Sequence, residues 1–184
     1  MQPQSPQIVS AADDTRNVVD RYKGWPQQQI IDDLDACGTA LEIAIDNVSR
    51  DFNMGTIVRT ANAFGVRHIH IVGRRQWNKR GAMMTDTYLH VHYYDTVDAL
   101  VEATARRLLI AIDNVAGSTP LGQTVLPPDG VLLFGAEGPG IRPELLQRAD
   151  MVVAIEQFGS TRSLNVGVAA GIAMYAWLQQ QKLV

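Results

Sequence analysis

The sequence predicts an α/β fold: a mostly parallel sheet with helices on both faces. Two observations carry that reading. Short apolar runs alternate with helical patterns, beginning with a strand, helix, strand unit inside the first eighty residues. Two later runs, Val131 to Phe134 and Met151 to Ile155, end in polar loops that contain glycine. Strands of a parallel sheet present such loops to a ligand at their carboxyl edge.

The elements follow in chain order. Residues 1 to 12 read as a loosely docked polar tail, and Asp13 to Tyr22 as a short helix with acids at its start. Gln27 to Ala36 is a second modest helical pattern. Leu41 to Ile45 alternates and stops at Asp46-Asn47, the mark of a first strand. Asn53 to Phe64 carries Ile57, Val58, Ala61 and Phe64 at helical spacing, and Gly65 ends it. His68 to Val72 is the next strand. A loop, Gly73 to Gly81, sets Arg74, Arg75, Lys79 and Arg80 around Trp77. Val91 to Tyr94 reads as a short strand, Val97 to Arg106 as an amphipathic helix and Leu108 to Ile112 as a strand. Pro143 to Arg148 is a short helix with proline in its first turn, and Leu164 to Gln181 is the closing helix. The chain divides into residues 1–38, a tail with short helices, and one domain over 39–184.

Bulk properties exclude several classes. The hydrophobic fraction is 46%, the charged fraction 19% and the net charge −3, so no global basic field holds nucleic acid. Any such binding relies on a local patch or on an oligomer. One cysteine, Cys37, rules out an internal disulfide framework. The longest apolar run, Val166 to Leu178, is too short to span a bilayer, and the amino end has no apolar signal core. The expectation is a cytoplasmic protein with no membrane partner.

Several residues are candidates for chemistry. Asn53 stands at a helix start, where it is also a natural cap, and Arg59 lies further along that helix, either solvated or anchored. Glu137 sits inside the glycine turn, where it caps amides or orients a ligand. Ser163 is a natural cap for the closing helix, with Asn165 in its first turn, and that helix start also suits an anionic group. His68, His70, His90 and His92 form two alternating pairs that share a strand face. Without cysteines or clustered acids they imply no metal site. The basic loop suits RNA phosphates, with Trp77 for a stacked base, or is simply a solvated turn.

Three segments together resemble the SpoU (TrmH-type) branch of the SPOUT RNA methyltransferases. They are Asn53-Met54-Gly55-Thr56-Ile57-Val58-Arg59 running to Gly65, Phe134-Gly135-Ala136-Glu137-Gly138-Pro139-Gly140, and Ile155 through Ser163-Leu164-Asn165-Val166. The resemblance covers roughly residues 40 to 181. It implies an S-adenosylmethionine-dependent methyltransferase acting on a ribose 2′-hydroxyl in tRNA or rRNA, with a carboxyl-terminal trefoil knot and a homodimer. It also implies a catalytic set of Arg59, Asn53, Glu137, Ser163 and Asn165. Phe134, Gly135, Gly138, Ile155, Gln157 and Leu164 become the cofactor set, largely through backbone, while the basic loop, on its own composition, offers Arg74, Arg75, Lys79 and Arg80 as the RNA set. The sequence departs from the family pattern at Glu156-Gln157 and Gly167, and residues 1–38 match none of the family's RNA-binding extensions. A catalytically idle knotted RNA-binding module is the alternative, and retention of Arg59, Asn53 and Asn165 argues against it. An ordinary dinucleotide fold would want Gly-x-Gly-x-x-Gly after the first strand, which Asn53-Met54-Gly55 does not provide.

Overall fold

The computed structural model describes residues 10–47, 53–136 and 139–182. Its helices are α1 (Gln27–Cys37), α2 (Asn53–Ala63), α3 (Val97–Thr104), α4 (Pro143–Arg148) and α5 (Val166–Gln180). Its strands are β1 (Glu42–Asn47), β2 (His68–Gly73), β3 (His90–Tyr94), β4 (Leu109–Ile112), β5 (Thr119–Pro120), β6 (Val131–Phe134) and β7 (Met151–Ala154). They form one sheet in the order β3-β2-β1-β6-β4-β7-β5, and every pairing is parallel.

Alternation along each strand sorts side chains between two layers. Ile43 and Ile45 of β1, Ile110 of β4, and Leu132 and Phe134 of β6 pack with Met54 and Ile57 of α2 and with Ala170, Met174 and Trp177 of α5. Ala44, Ala111, Val131 and Leu133 point the other way, onto Val97 and Leu100 of α3 and Leu145 of α4. Helices therefore cover both faces, as expected. Buried strands of this kind read as near-continuous apolar runs, which is why β4, β6 and β7 were legible.

Helix ends follow local chemistry. Gly65 takes φ of +75° after α2, and Val66 N–H returns to the Ala61 carbonyl, closing the helix. Thr96 caps α3 through its hydroxyl, which accepts from Ala99 N–H at 3.2 Å. The helix expected over Asp13 to Tyr22 does not form. Two 3-10 turns, Ala11–Asp13 and Asp20–Tyr22, stand there instead. The Asp14 carboxylate explains this: it accepts from the Arg16 guanidinium and from the backbone N–H groups of Arg16 and Gly24, holding a loop rather than a helix. The expected tail falls mostly on residues 1–9, outside the described residues. Residues 10–38 dock onto the sheet domain by an ion pair from Arg67 Nε to Asp35 Oδ1 at 2.7 Å and by packing of Ile30 with Tyr22 and Tyr88.

The four histidines share one face of β2 and β3, with His68 opposite His90 and His70 opposite His92. Their rings stack in a column at centroid distances of 5.0, 5.3 and 5.1 Å, ending on Tyr94. His68 Nδ1 lies 3.0 Å from His92 Nε2, and His70 Nε2 lies 2.8 Å from Glu42 Oε2. Among the described residues no group of three His, Cys, Asp or Glu is arranged to hold a metal, and no helix is long and apolar enough to cross a membrane.

Candidate active site

Parallel strands put all their carboxyl ends on one edge, and the chain uses that edge to gather its polar loops. The loops after β4, β6 and β7 and the start of α5 enclose a cleft of about 640 Å³. Asp113 and Asn114 come from the first loop, Gly135, Ala136 and Gly140 from the second, and Ile155, Gln157 and Arg162 from the third. Ser163, Leu164 and Asn165 complete the wall.

The glycine turn after β6 is tightly built. Ala136 and Gly140 exchange backbone hydrogen bonds at 3.2 and 3.1 Å, closing the loop between them. A Cβ on Gly135 would lie 2.2 Å from the Gly140 carbonyl carbon, so glycine is required by the turn's own backbone. Gly140 takes φ of +72° beside Asp113, whose Oδ2 accepts from Ile141 N–H at 2.9 Å. Asp113 thus ties the β4 loop to the β6 loop. Asp46, wholly buried at the end of β1, accepts from both the backbone N–H of Arg142 at 3.0 Å and its Nε at 2.8 Å. The turn is therefore braced on both sides, by residues whose roles no local pattern announces.

Asn165 joins the first and third motifs. Its Nδ2 donates to Asn53 Oδ1 at 2.9 Å, and its Oδ1 accepts from Gly167 and Val168 N–H at 3.0 and 3.2 Å. Asn165, not Ser163, is the cap of α5, and the helix begins two residues later than expected. The anion site expected at that helix start is accordingly occupied by the protein's own side chain. Gly167 has a reason as well: a Cβ there would lie 3.1 Å from Thr56 Cγ2, so glycine lets α5 approach α2 closely.

The remaining candidates are placed as follows. Asn53 is the first residue of α2, and Arg59 lies about 120° round the helix from it, exposed and away from the buried stripe of Met54, Ile57, Val58 and Ala61. Among the described residues Arg59 has no hydrogen-bond or ion-pair partner. Ser163, Gly135, Ile155, Gln157 and Leu164 line the cleft. Phe134 does not: its side chain is wholly buried in the core. Glu137 and Gly138 lie outside the described residues. Arg74, Arg75, Lys79 and Arg80 are exposed, at the same carboxyl edge beyond β2. Arg75 pairs with Asp95 at 3.2 Å and Lys79 with Asp86 at 2.7 Å. Trp77 is not an open stacking platform, because its ring packs on the core and its Nε1 donates to Tyr93 Oη at 3.3 Å. The segment after it, Lys79–Ala82, lies against Gly55 of α2, where a Cβ would come 2.7 Å from Ala82 N. That packing sets the basic loop beside the helix of Asn53 and Arg59.

A wholly parallel α/β sheet with a braced glycine cleft at its carboxyl edge defines an enzyme-like ligand-binding domain. Residues 40–175 match the model of the SpoU rRNA Methylase family, and the chain belongs to that family. It is 31% identical over 152 residues to the 23S rRNA (guanosine-2′-O-)-methyltransferase RlmB of Coxiella burnetii, covering 78% of this chain and 60% of that protein. The chain thus spans about three fifths of the length of such curated relatives. The structure of the TrmH/SpoU tRNA modifying enzyme of A. aeolicus superposes with a TM-score of 0.73 at 25% identity, over 85% of each chain. An AdoMet-bound rRNA methyltransferase from Sinorhizobium meliloti gives a TM-score of 0.67 at 28% identity, over 76% of this chain and 56% of that one.

Proposed function

We propose that this chain transfers a methyl group from S-adenosylmethionine to a ribose 2′-hydroxyl of tRNA or rRNA, within a domain of residues 39–184 to which residues 1–38 are accessory. The observation that carries the reading is the Asn165 to Asn53 hydrogen bond, which brings two of the three family motifs together at the mouth of the cleft formed by the third. The names of the relatives, an rRNA 2′-O-methyltransferase and a tRNA modifying enzyme, agree with it.

The residues present fit the cofactor. Gln157 Oε1 is buried in the cleft wall and has no hydrogen-bond partner, leaving one acceptor for an amino group of a bound nucleoside. Backbone at Gly135, Ile155 and Leu164, with Gln157, would hold it. When bound, S-adenosylmethionine supplies an electrophilic methyl group on a sulfonium.

The protein's own work is positioning and exclusion of water. Arg59 is a poor base, since a guanidinium does not give up its proton in proteins. Its planar fork instead clamps the phosphate beside the target ribose, and that positive charge favours the developing alkoxide. The proton leaves toward that phosphate. Asn53 and Asn165 hold the ribose side of the site, with Ser163 at its rim, and Arg74, Arg75, Lys79 and Arg80 carry flanking backbone. Exposed Val168, Ile172 and Tyr175 recur along one side of α5, an apolar stripe that supports a homodimer through α5 and α2. Membership of the family supports the trefoil knot, and an RNA substrate implies the cytoplasm.

The test is tritiated methyl transfer from S-adenosylmethionine into RNA from a strain lacking the gene, followed by nucleoside mass spectrometry. A 2′-O-methylated nucleoside is the expected product. Label found on a base, or none in RNA, overturns the reading.

A further inference from the structure

Phe158 is 97% exposed, the largest exposure of any large hydrophobic residue described. It stands at the tip of the loop from β7 to α5, and the loop is fixed at both legs. Gly122 N–H donates to Glu156 Oε1 at 3.1 Å on one leg. On the other, Asn114 Nδ2 reaches the Arg162 carbonyl at 3.5 Å and Thr161 Oγ1 donates to the Ser163 carbonyl at 3.1 Å. A Cβ on the adjacent Gly159 would meet nothing within 4 Å, so the tip stands clear of the rest of the fold. Gln157 and Arg162, either side of it, line the cleft, whereas Phe158 does not. The ring therefore stands outside the cleft lining, open to solvent on a loop that forms part of the cleft wall. Arg162, four residues on in the same loop, is exposed, and its guanidinium has no ion-pair partner among the described residues.

We propose that Phe158 is a base-stacking residue, whose ring receives a nucleobase of the substrate RNA next to the nucleotide whose ribose enters the cleft, with Arg162 on the adjoining phosphate. An aromatic face and a neighbouring guanidinium are the two parts single-stranded RNA recognition uses, and stacking accepts any base. The sequence directed attention to Trp77 for this task, but that ring is half-buried against the core, and among the described residues Phe158 is the aromatic most open to a base at this edge. The inference rests on the methyltransferase reading for its choice of RNA as occupant.

The test compares full-length wild type with Phe158→Ala, Phe158→Trp and Arg162→Ala. The probes are bulk tRNA and ribosomal RNA for binding and for KM, and S-adenosylhomocysteine for the cofactor site. Phe158→Ala is expected to weaken RNA binding and raise KM on the order of tenfold, from the loss of one stacked base, while kcat and S-adenosylhomocysteine affinity hold. Phe158→Trp should keep RNA affinity, and Arg162→Ala should weaken it with a shallower salt dependence. Unchanged RNA affinity in Phe158→Ala overturns the proposal. So does an equal loss of S-adenosylhomocysteine affinity, which would make the ring a cover for the cofactor, or a dimer that falls apart by light scattering, which would make it a subunit contact. RNA binding needs no turnover, so wild-type protein that binds RNA through Phe158 without methylating it would fail the methyltransferase reading and not this one.

Discussion

Asn165 Nδ2 donates to Asn53 Oδ1 across 2.9 Å, joining the first turns of two helices 112 residues apart in the chain. The same side chain caps α5 through its other atom, so one residue carries a local and a tertiary task. An aspartate can cap but cannot donate. Asn165→Asp should therefore hold thermal stability close to wild type and cut methyl transfer by an order of magnitude or more. Asn165→Ala should lose both, with about 1 kcal/mol of stability gone with the cap. Activity at wild-type level in a folded Asn165→Asp protein would remove the link from the mechanism.

The glycine turn yields a second prediction. Because a Cβ on Gly135 collides with the Gly140 backbone, Gly135→Val breaks the turn itself before it can obstruct a cofactor. Calorimetry should show lost S-adenosylmethionine binding together with a lower Tm. The brace from outside is Asp46, and Asp46→Ala strands the Arg142 guanidinium, whose side chain is 34% exposed. Partial solvation reduces the cost of an abandoned buried charge to about 2–4 kcal/mol, measurable by urea unfolding. A loss below 0.5 kcal/mol would show that the pair does not hold the turn.

The legible and illegible parts of this molecule divide by range. Leu132 to Phe134 and Ile110 to Ile112 announce buried strands by composition alone, and Gly65 announces a helix end by the conformation it must take. Ser163 and Asn165 are equally good caps on paper, and what selects Asn165 is Asn53, which spacing cannot reveal. Asp46 with Arg142, and Asp113 with Ile141, meet only after the sheet has ordered its strands. β5 has two residues, too few for any pattern. Trp77 misled because a tryptophan among arginines looks the same in sequence whether its ring faces out or in.

The histidine column makes stability depend on pH in two stages. Burial pushes His68 and His92 below the ordinary imidazole value of 6.5, with neighbouring imidazoles reinforcing it and Glu42 opposing. The folded state then resists protons that the unfolded chain accepts, so stability is flat above about pH 6.5 and falls as pH drops below it. Burial pushes Glu42 up, but the His70 hydrogen bond and the His70 and Arg107 charges outweigh it and hold it below its ordinary 4.5. That contribution is present above pH 4.5 and is lost as pH falls further. Tm measured from pH 8 to 4 should fall in the first stage, and His68→Gln with His92→Gln should flatten that stage while leaving the second. A wild-type Tm constant between pH 7 and 5 would contradict the assignment.

Arg59 is the residue on which the enzymatic reading depends most. It is exposed on α2, on the flank of the face where Asn53 and Thr56 meet α5, and among the described residues nothing pairs with it. Folding does not need it, so Arg59→Ala should alter stability by no more than about 0.5 kcal/mol. A charge whose work is to clamp phosphate and favour an alkoxide acts on turnover, so S-adenosylmethionine affinity should survive while methyl transfer falls by two orders of magnitude or more. Arg59→Lys should rescue little, since an ammonium cannot present two parallel donors to a phosphate. The measurement is labelled methyl incorporation into RNA from a strain lacking the gene, with cofactor calorimetry run on the same preparations. Wild-type rates from folded Arg59→Ala would take this arginine out of the chemistry and leave activation of the hydroxyl to the rest of the expected catalytic set, Asn53, Glu137, Ser163 and Asn165.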